Sequence, residues 1–191
     1  MTIDLGHATR ATAGVVAGVR DDQLGDPTPC PAYTVADLLD HLGGLSVAFT
    51  DAARKDARPG EHEASGDGSR LEPAFRDRIT AALAELAESW REPGAFDGLT
   101  QAGPIEMPAE IAAQVALNEV VVHGWDLARA TDQPYDPGSD AVAVCLAFAE
   151  SFEAPADAGE GPFGPPVDVP ADAPDLDRLA GATGRRPDWA A

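Results

Sequence analysis

Two short stretches of this chain hold residues whose types and spacing suit chemistry. One is Asp40-His41-Leu42-Gly43-Gly44 near the N-terminus; the other is Asn118-Glu119-Val120-Val121-Val122-His123-Gly124-Trp125-Asp126-Leu127 in the second half. Each sets a histidine within an apolar helical pattern. Glu119 precedes His123 by one helical turn, so their side chains leave the same face. Two imidazoles and a carboxylate from two helices make three protein ligands for a divalent metal, with a coordination position left open for chemistry.

An ionised carboxylate inside an apolar helix is costly unless it is paired, hydrogen-bonded or metal-bound. Between Ile111 and Ala128 the formal charges are Glu119 and Asp126 alone. On this helix by itself two readings weigh equally: a Glu119–His123 hydrogen bond in the core, or a shared metal ion. His41, at the edge of an apolar stripe on another helix, adds to the second. Such a ligand set suits zinc, with nickel, iron or cobalt as alternatives, better than magnesium or calcium, which prefer oxygen shells. Zinc held this way can deprotonate a bound water or a thiol near neutral pH. No Ser-His-Asp or Cys-His arrangement is legible as a rival nucleophile.

Other polar residues have simpler expectations. Asp37 lies four residues before His41 and is a candidate fourth ligand, but a capping box with Thr34 is favoured. Asp126 is a candidate to orient His123 from behind; an ion pair with Arg129 is favoured slightly over that. His7 on the first helix and His62 in a polar loop are not expected to be ligands, and Trp125 is expected to anchor packing. Cys145 lies in an apolar stripe and reads as a core residue. Cys30, between two prolines, shows no neighbouring base or cation to activate it.

These residues need elements to position them. Leu5, Ala8, Thr12, Val15, Val16 and Val19 recur at helical spacing, with an end expected near 20–24. The prolines at 27, 29 and 31 force a turn or extended segment. Thr34 opens a second helix that carries Val35, Leu38, Leu39, Leu42, Leu45 and Phe49 on one face and runs to about Lys55. Gly43-Gly44 inside it predicts close approach of a neighbour or a kink. Further helices are expected at about 72–90, 108–129 and 139–152, the fourth being the most buried; no strand pair is expected. The Pro-, Asp- and Gly-rich remainder predicts an extended strap from Phe163 to Pro170 and a short final helix around Leu176 and Leu179. The expected architecture is an all-α four-helix bundle in one domain, with a core over about 2–153 and a C-terminal strap over about 154–191.

Composition narrows the function classes. The chain has 191 residues, 44% hydrophobic and 24% charged, with a formal net charge of -20. So acidic a surface argues against nucleic acid and anionic membranes as partners. No apolar run approaches the roughly 20 residues that span a bilayer, and the N-terminus lacks a basic segment and hydrophobic signal core, so the expected localisation is cytoplasmic. Two distant cysteines argue against a disulfide framework or a thiolate zinc site. The oligomeric expectation is a monomer or homodimer.

The motifs also carry a resemblance. The run from Thr28-Pro29-Cys30-Pro31-Ala32-Tyr33-Thr34 through Asp37, Asp40, His41 and Leu42 resembles the N-terminal domain of the mycothiol-dependent maleylpyruvate isomerase family. Val122-His123-Gly124-Trp125-Asp126-Leu127-Ala128-Arg129 resembles its second hallmark. Phe163-Gly164-Pro165-Pro166-Val167, Asp177-Arg178-Leu179 and Gly184-Arg185 resemble the tail of its single-domain, metal-binding branch. The resemblance implies a DinB-like four-helix bundle with His41, Glu119 and His123 on the ligand positions. It implies mycothiol as thiol cosubstrate, activated at the metal for attack on a small electrophile in a transferase- or isomerase-like reaction. Tyr33 departs from the tryptophan of many relatives, and the isomerase's further C-terminal domain is not expected here. The alternatives are a non-catalytic metal-binding or regulatory bundle and a metal-dependent hydrolase.

Overall fold

The computed structural model describes residues 3–56, 65–152 and 163–190. Among these, the regular elements are α1 (Gly6–Gly18), α2 (Val35–Arg54), α3 (Phe75–Ser89), β1 (Leu99–Ala102), β2 (Ile105–Pro108), α4 (Ala109–Ala130), α5 (Ser139–Glu150) and α6 (Asp175–Ala182). Helices α1 and α2 each pack against both α3 and α4, which closes a four-helix bundle in the cyclic order α1-α3-α2-α4. Helix α5 lies on α4, and α6 on α5. The apolar stripes meet inside: Val16, Leu38, Leu39, Leu42, Leu83, Leu86, Leu117 and Leu127 are fully buried. Each such side chain contributes roughly 1.5–3 kcal/mol of burial.

Helix α2 starts where the capping chemistry places it. The Thr34 hydroxyl accepts a hydrogen bond from the Asp37 backbone N–H at 3.3 Å, and Asp37 accepts one from the Thr34 N–H at 3.0 Å. Asp37 is thereby engaged as a cap, in keeping with the favoured expectation. Gly43 accounts for one of the paired glycines: a Cβ there would meet Ile79 of α3 at 3.3 Å. Among the described residues nothing lies within 4 Å of a Cβ at Gly44, and they offer no reason for that glycine.

The expectation of no strand pair is corrected. Strands β1 and β2 form an antiparallel hairpin, Leu99 opposite Pro108 and Ala102 opposite Ile105. The turn is Gly103 at a φ of 58°, followed by Pro104, whose ring holds φ negative; that order suits a two-residue hairpin turn. Four-residue strands are too short to show a period, and Leu99 and Ile105 both stay exposed, so no inward-outward alternation marks them. Thr100 is the buried exception, its hydroxyl donating to the Ala52 carbonyl of α2.

The C-terminal segment is a strap ending in a helix. Phe163 joins Phe148 and Phe152 in an aromatic cluster with centroids 6.4 and 5.8 Å away, and Val167 donates its N–H to the Gly181 carbonyl at 2.9 Å. His62 lies outside the described residues, as does the first part of the expected strap.

Candidate metal centre

Helices α2 and α4 face each other, and their contact brings together the two histidine-bearing stretches. The Nε2 atoms of His41 and His123 both point at one oxygen, Oε2 of Glu119, from 3.4 and 3.2 Å. One ligand atom from each of the three residues falls within 4.8 Å of the other two. The rings stand edge to face, with centroids 5.0 Å apart. Glu119 is the most open of the three, its side chain 31% accessible against 14% for His41 and 10% for His123.

Behind this cluster lies a second layer of polar contacts. Nδ1 of His123 is 3.0 Å from Oδ2 of Asp126, a carboxylate with no solvent exposure. Arg185, 59 residues further along the chain, donates from Nε to Oδ1 of Asp126 at 3.2 Å and from Nη2 to Oδ2 at 2.9 Å. The favoured expectation of an Asp126–Arg129 ion pair is therefore corrected. Arg129 instead donates to the carbonyls of Pro187 and Trp189 and packs over the Trp125 ring. A surface cation one turn away cannot compete with a guanidinium that the chain's return folds directly onto a buried acid.

The proline-rich turn before α2 supplies the wall of the site. Thr28 donates its hydroxyl hydrogen to the Tyr33 carbonyl at 2.9 Å, and Tyr33 N–H donates to the Cys30 carbonyl at 3.0 Å. This compact turn sets the Tyr33 ring 5.2 Å from His41 and 6.4 Å from His123. The Tyr33 hydroxyl accepts a hydrogen bond from the Gly66 N–H at 3.3 Å, joining the loop before α3 to the mouth of the cluster. Cys30 lies with His123 and Asp126 in a second group whose ligand atoms fall within 4.8 Å of one another. The expectation that Cys30 lacks charged neighbours is thus corrected; burial pushes its thiol up, and the Arg185 guanidinium offsets part of that.

Charge at the cluster follows from these contacts. Burial favours a neutral Glu119, but the hydrogen bonds of His123 and His41 outweigh it and hold the carboxyl far below the usual range. Burial likewise opposes a charged His123, yet Asp126 and Glu119 on its two nitrogens push it up to about 9. Without a metal, a proton on His123 adds positive charge between Glu119 and Asp126, beside that of Arg185 on Asp126.

The donor set fits a metal ion. Four-coordinate zinc with bonds of about 2.0–2.2 Å sets its donors about 3.3–3.5 Å apart, close to the separations of Glu119 from His41 and His123. Nitrogen and oxygen donors from three side chains, one of them partly open to solvent, suit zinc or a neighbouring transition metal more than magnesium or calcium. His7 is not among these groups; it lies against Gly138 at the start of α5.

Sequence reasoning missed Arg185 and placed nothing around Cys30. Gly184-Arg185 was noted as part of the tail motif, but nothing local tied Arg185 to Asp126 or Cys30 to His123, because these contacts join positions far apart in the chain. For Tyr33 the signal was its place in the Pro29-Cys30-Pro31-Ala32-Tyr33 turn of the first motif.

Comparison with known proteins gives three findings. Residues 5–128 match the family described as "Mycothiol maleylpyruvate isomerase N-terminal domain". The chain is 34% identical over 180 residues, 94% of either chain, to "Uncharacterized protein Rv0738" of Mycobacterium tuberculosis strain H37Rv and equally to "Uncharacterized protein MT0763" of strain CDC 1551 / Oshkosh. The fold superposes on crystal structures of the mycothiol-dependent maleylpyruvate isomerase and of a mutant of it, at a TM-score of 0.56 for each and 18% and 16% identity. That match covers 74% of this chain and 65% of the isomerase chain, and the shared architecture is the DinB-like four-helix bundle. On the extent of the domain match and the identity to its relatives, the chain belongs to the mycothiol maleylpyruvate isomerase N-terminal domain family.

Proposed function

We propose that His41, Glu119 and His123 hold a divalent metal, zinc first, and that the chain uses it to activate a low-molecular-weight thiol toward a small electrophile. Mycothiol is the thiol to test, since it stands in the name of the family and of the isomerase whose fold this chain shares. The observation that carries the reading is the convergence of two Nε2 atoms on one Glu119 oxygen. Zinc bound there would act as a Lewis acid and make a thiol a better nucleophile near neutral pH.

The chain's own residues have separable roles in this reading. Glu119 supplies the anionic charge that offsets a cation. His123 must give up its Nε2 proton to bind a metal, while Asp126 keeps the bond at Nδ1 and holds the ring still. His41 contributes the second imidazole from α2. Tyr33 walls the approach and narrows it to molecules that fit between its ring and the partly open Glu119.

The test is metal analysis of the purified chain followed by thiol-dependent consumption of electrophiles. One equivalent of metal and a reaction that requires mycothiol are expected, and His41→Ala and His123→Ala should each abolish both. Activity that persists in His123→Ala would sink the mechanism. Activity without any thiol would point to hydrolysis, and metal binding with no turnover would leave the ion a stabilising role.

A further inference from the structure

We propose that Arg185 is a positioning residue for the metal-binding histidine: delivered by the C-terminal segment, it clamps Asp126, which in turn fixes the ring of His123 with Nε2 toward Glu119 and His41. The inference rests on the reading of those three residues as metal ligands.

Asp126 carries no exposed surface, and a buried carboxylate held by one imidazole alone would be poorly compensated. Arg185 supplies the rest. Its Nε and Nη2 engage the two Asp126 oxygens as a planar fork, the geometry that suits a guanidinium and not an ammonium. Its Nη1 donates to the Thr183 carbonyl at 2.7 Å, so all three nitrogens are committed. The Arg185 side chain is only 12% accessible. With both Asp126 oxygens gripped, Oδ2 has one fixed position from which to receive the His123 Nδ1 proton.

The backbone explains how the arginine arrives there. Helix α6 ends in a Schellman cap: Gly184 N–H donates to the Gly181 carbonyl at 3.0 Å and Arg185 N–H to the Ala180 carbonyl at 2.8 Å. Gly184 has a φ of 82°, and a Cβ on it would meet the Gly164 backbone at 2.9 Å. The reversal turns the chain back over α4, where Arg129 holds the carbonyls of Pro187 and Trp189. The domain match ends at residue 128, so Arg185 lies beyond the matched residues while its partner Asp126 lies among them. In this chain the support behind a ligand is therefore contributed from outside the matched domain.

The experiment compares zinc affinity, measured by competition with a chromophoric chelator, in the full chain and in Arg185→Gln, Arg185→Lys and Arg186→Gln. Removing support behind a ligating histidine weakens metal binding by about 10- to 100-fold. That loss is expected for Arg185→Gln, with partial recovery in Arg185→Lys, which keeps the charge without the fork. No change is expected for Arg186→Gln, whose side chain pairs with Asp188 at the surface. Nitrogen NMR of the His123 ring in metal-free protein reads the same clamp directly, and its Nδ1 proton signal should shift or broaden in Arg185→Gln. Unchanged zinc affinity and ring signals, even with a lowered melting temperature, would overturn the proposal and leave Arg185 a structural role only. If Arg185→Gln does not fold, the Arg185→Lys comparison decides by the same two readouts. If the unaltered chain takes up no zinc, the metal reading fails, and the ring signals alone then decide whether Arg185 orients His123.

Discussion

Gly124 of α4 packs so closely on Tyr135 that a Cβ at position 124 would stand 2.4 Å from the tyrosine hydroxyl oxygen. The same Cβ would meet the Thr12 hydroxyl of α1 at 2.5 Å. The glycine beside His123 is thus a contact point between α4, α1 and the segment after α4. Thr12 and Tyr135 share a 3.0 Å hydrogen bond there, next to the Val120 carbonyl. With α1 held against this side, the Glu119–His123 face is left to meet α2.

Gly124→Ala should therefore be destabilising although alanine favours helices. Overpacking of this kind costs about 1–3 kcal/mol, and urea denaturation would read it. Stability equal to that of the unaltered chain would mean that α1 and Tyr135 yield at no cost.

The stability of metal-free protein should depend on pH in a definite sense. His123 is raised from 6.5 to about 9, so its contribution is complete below about pH 6.5 and is lost as pH rises through 9. Glu119 is lowered, so its contribution is present above about pH 4.5 and is lost as pH falls further. Melting temperatures in the presence of a chelator should peak between these limits and decline toward pH 9.5. Zinc should reverse the alkaline trend, because metal and proton compete for Nε2 of His123. A melting temperature that stays level from pH 6.5 to 9.5 without metal would refute the charge assignment.

Thr34→Ala removes the capping box at the start of α2. The loss should be about 1 kcal/mol, within the range for N-cap hydroxyls, and Asp37→Ala should cost a similar amount. Because the two changes share the Thr34–Asp37 contacts, while Asp37 alone also accepts the Gly68 N–H, the double variant should lose less than the sum. Full additivity in thermal unfolding would show that Thr34 and Asp37 cap independently.

The helices of the bundle were legible because their apolar residues repeat at helical spacing, and a repeat of that kind survives any tertiary arrangement. Thr34 and Asp37 announced the start of α2 because a cap is a local device, complete within four residues. The hairpin was not legible: its strands are four residues long and expose Leu99 and Ile105, which removes the alternation that would mark them. The slight preference for Arg129 as the cation on Asp126 failed for a similar reason, while the contact of Asp126 with His123 was among the readings weighed. Helical spacing offered Arg129, one turn away, whereas the partner the fold supplies is 59 residues distant.

By itself, then, the sequence determined which residues were dear to bury. His41, Glu119 and His123 stood out because a charge or imidazole in an apolar stripe demands a partner, and that demand is written in composition and period. Tertiary structure decided where the partners came from. Only the packing of α2 on α4 places two imidazoles around one carboxylate oxygen. Only the return of the tail over α4 places Arg185 on Asp126. Contacts between distant segments depend on the whole path of the backbone, and no local pattern of side chains encodes that path.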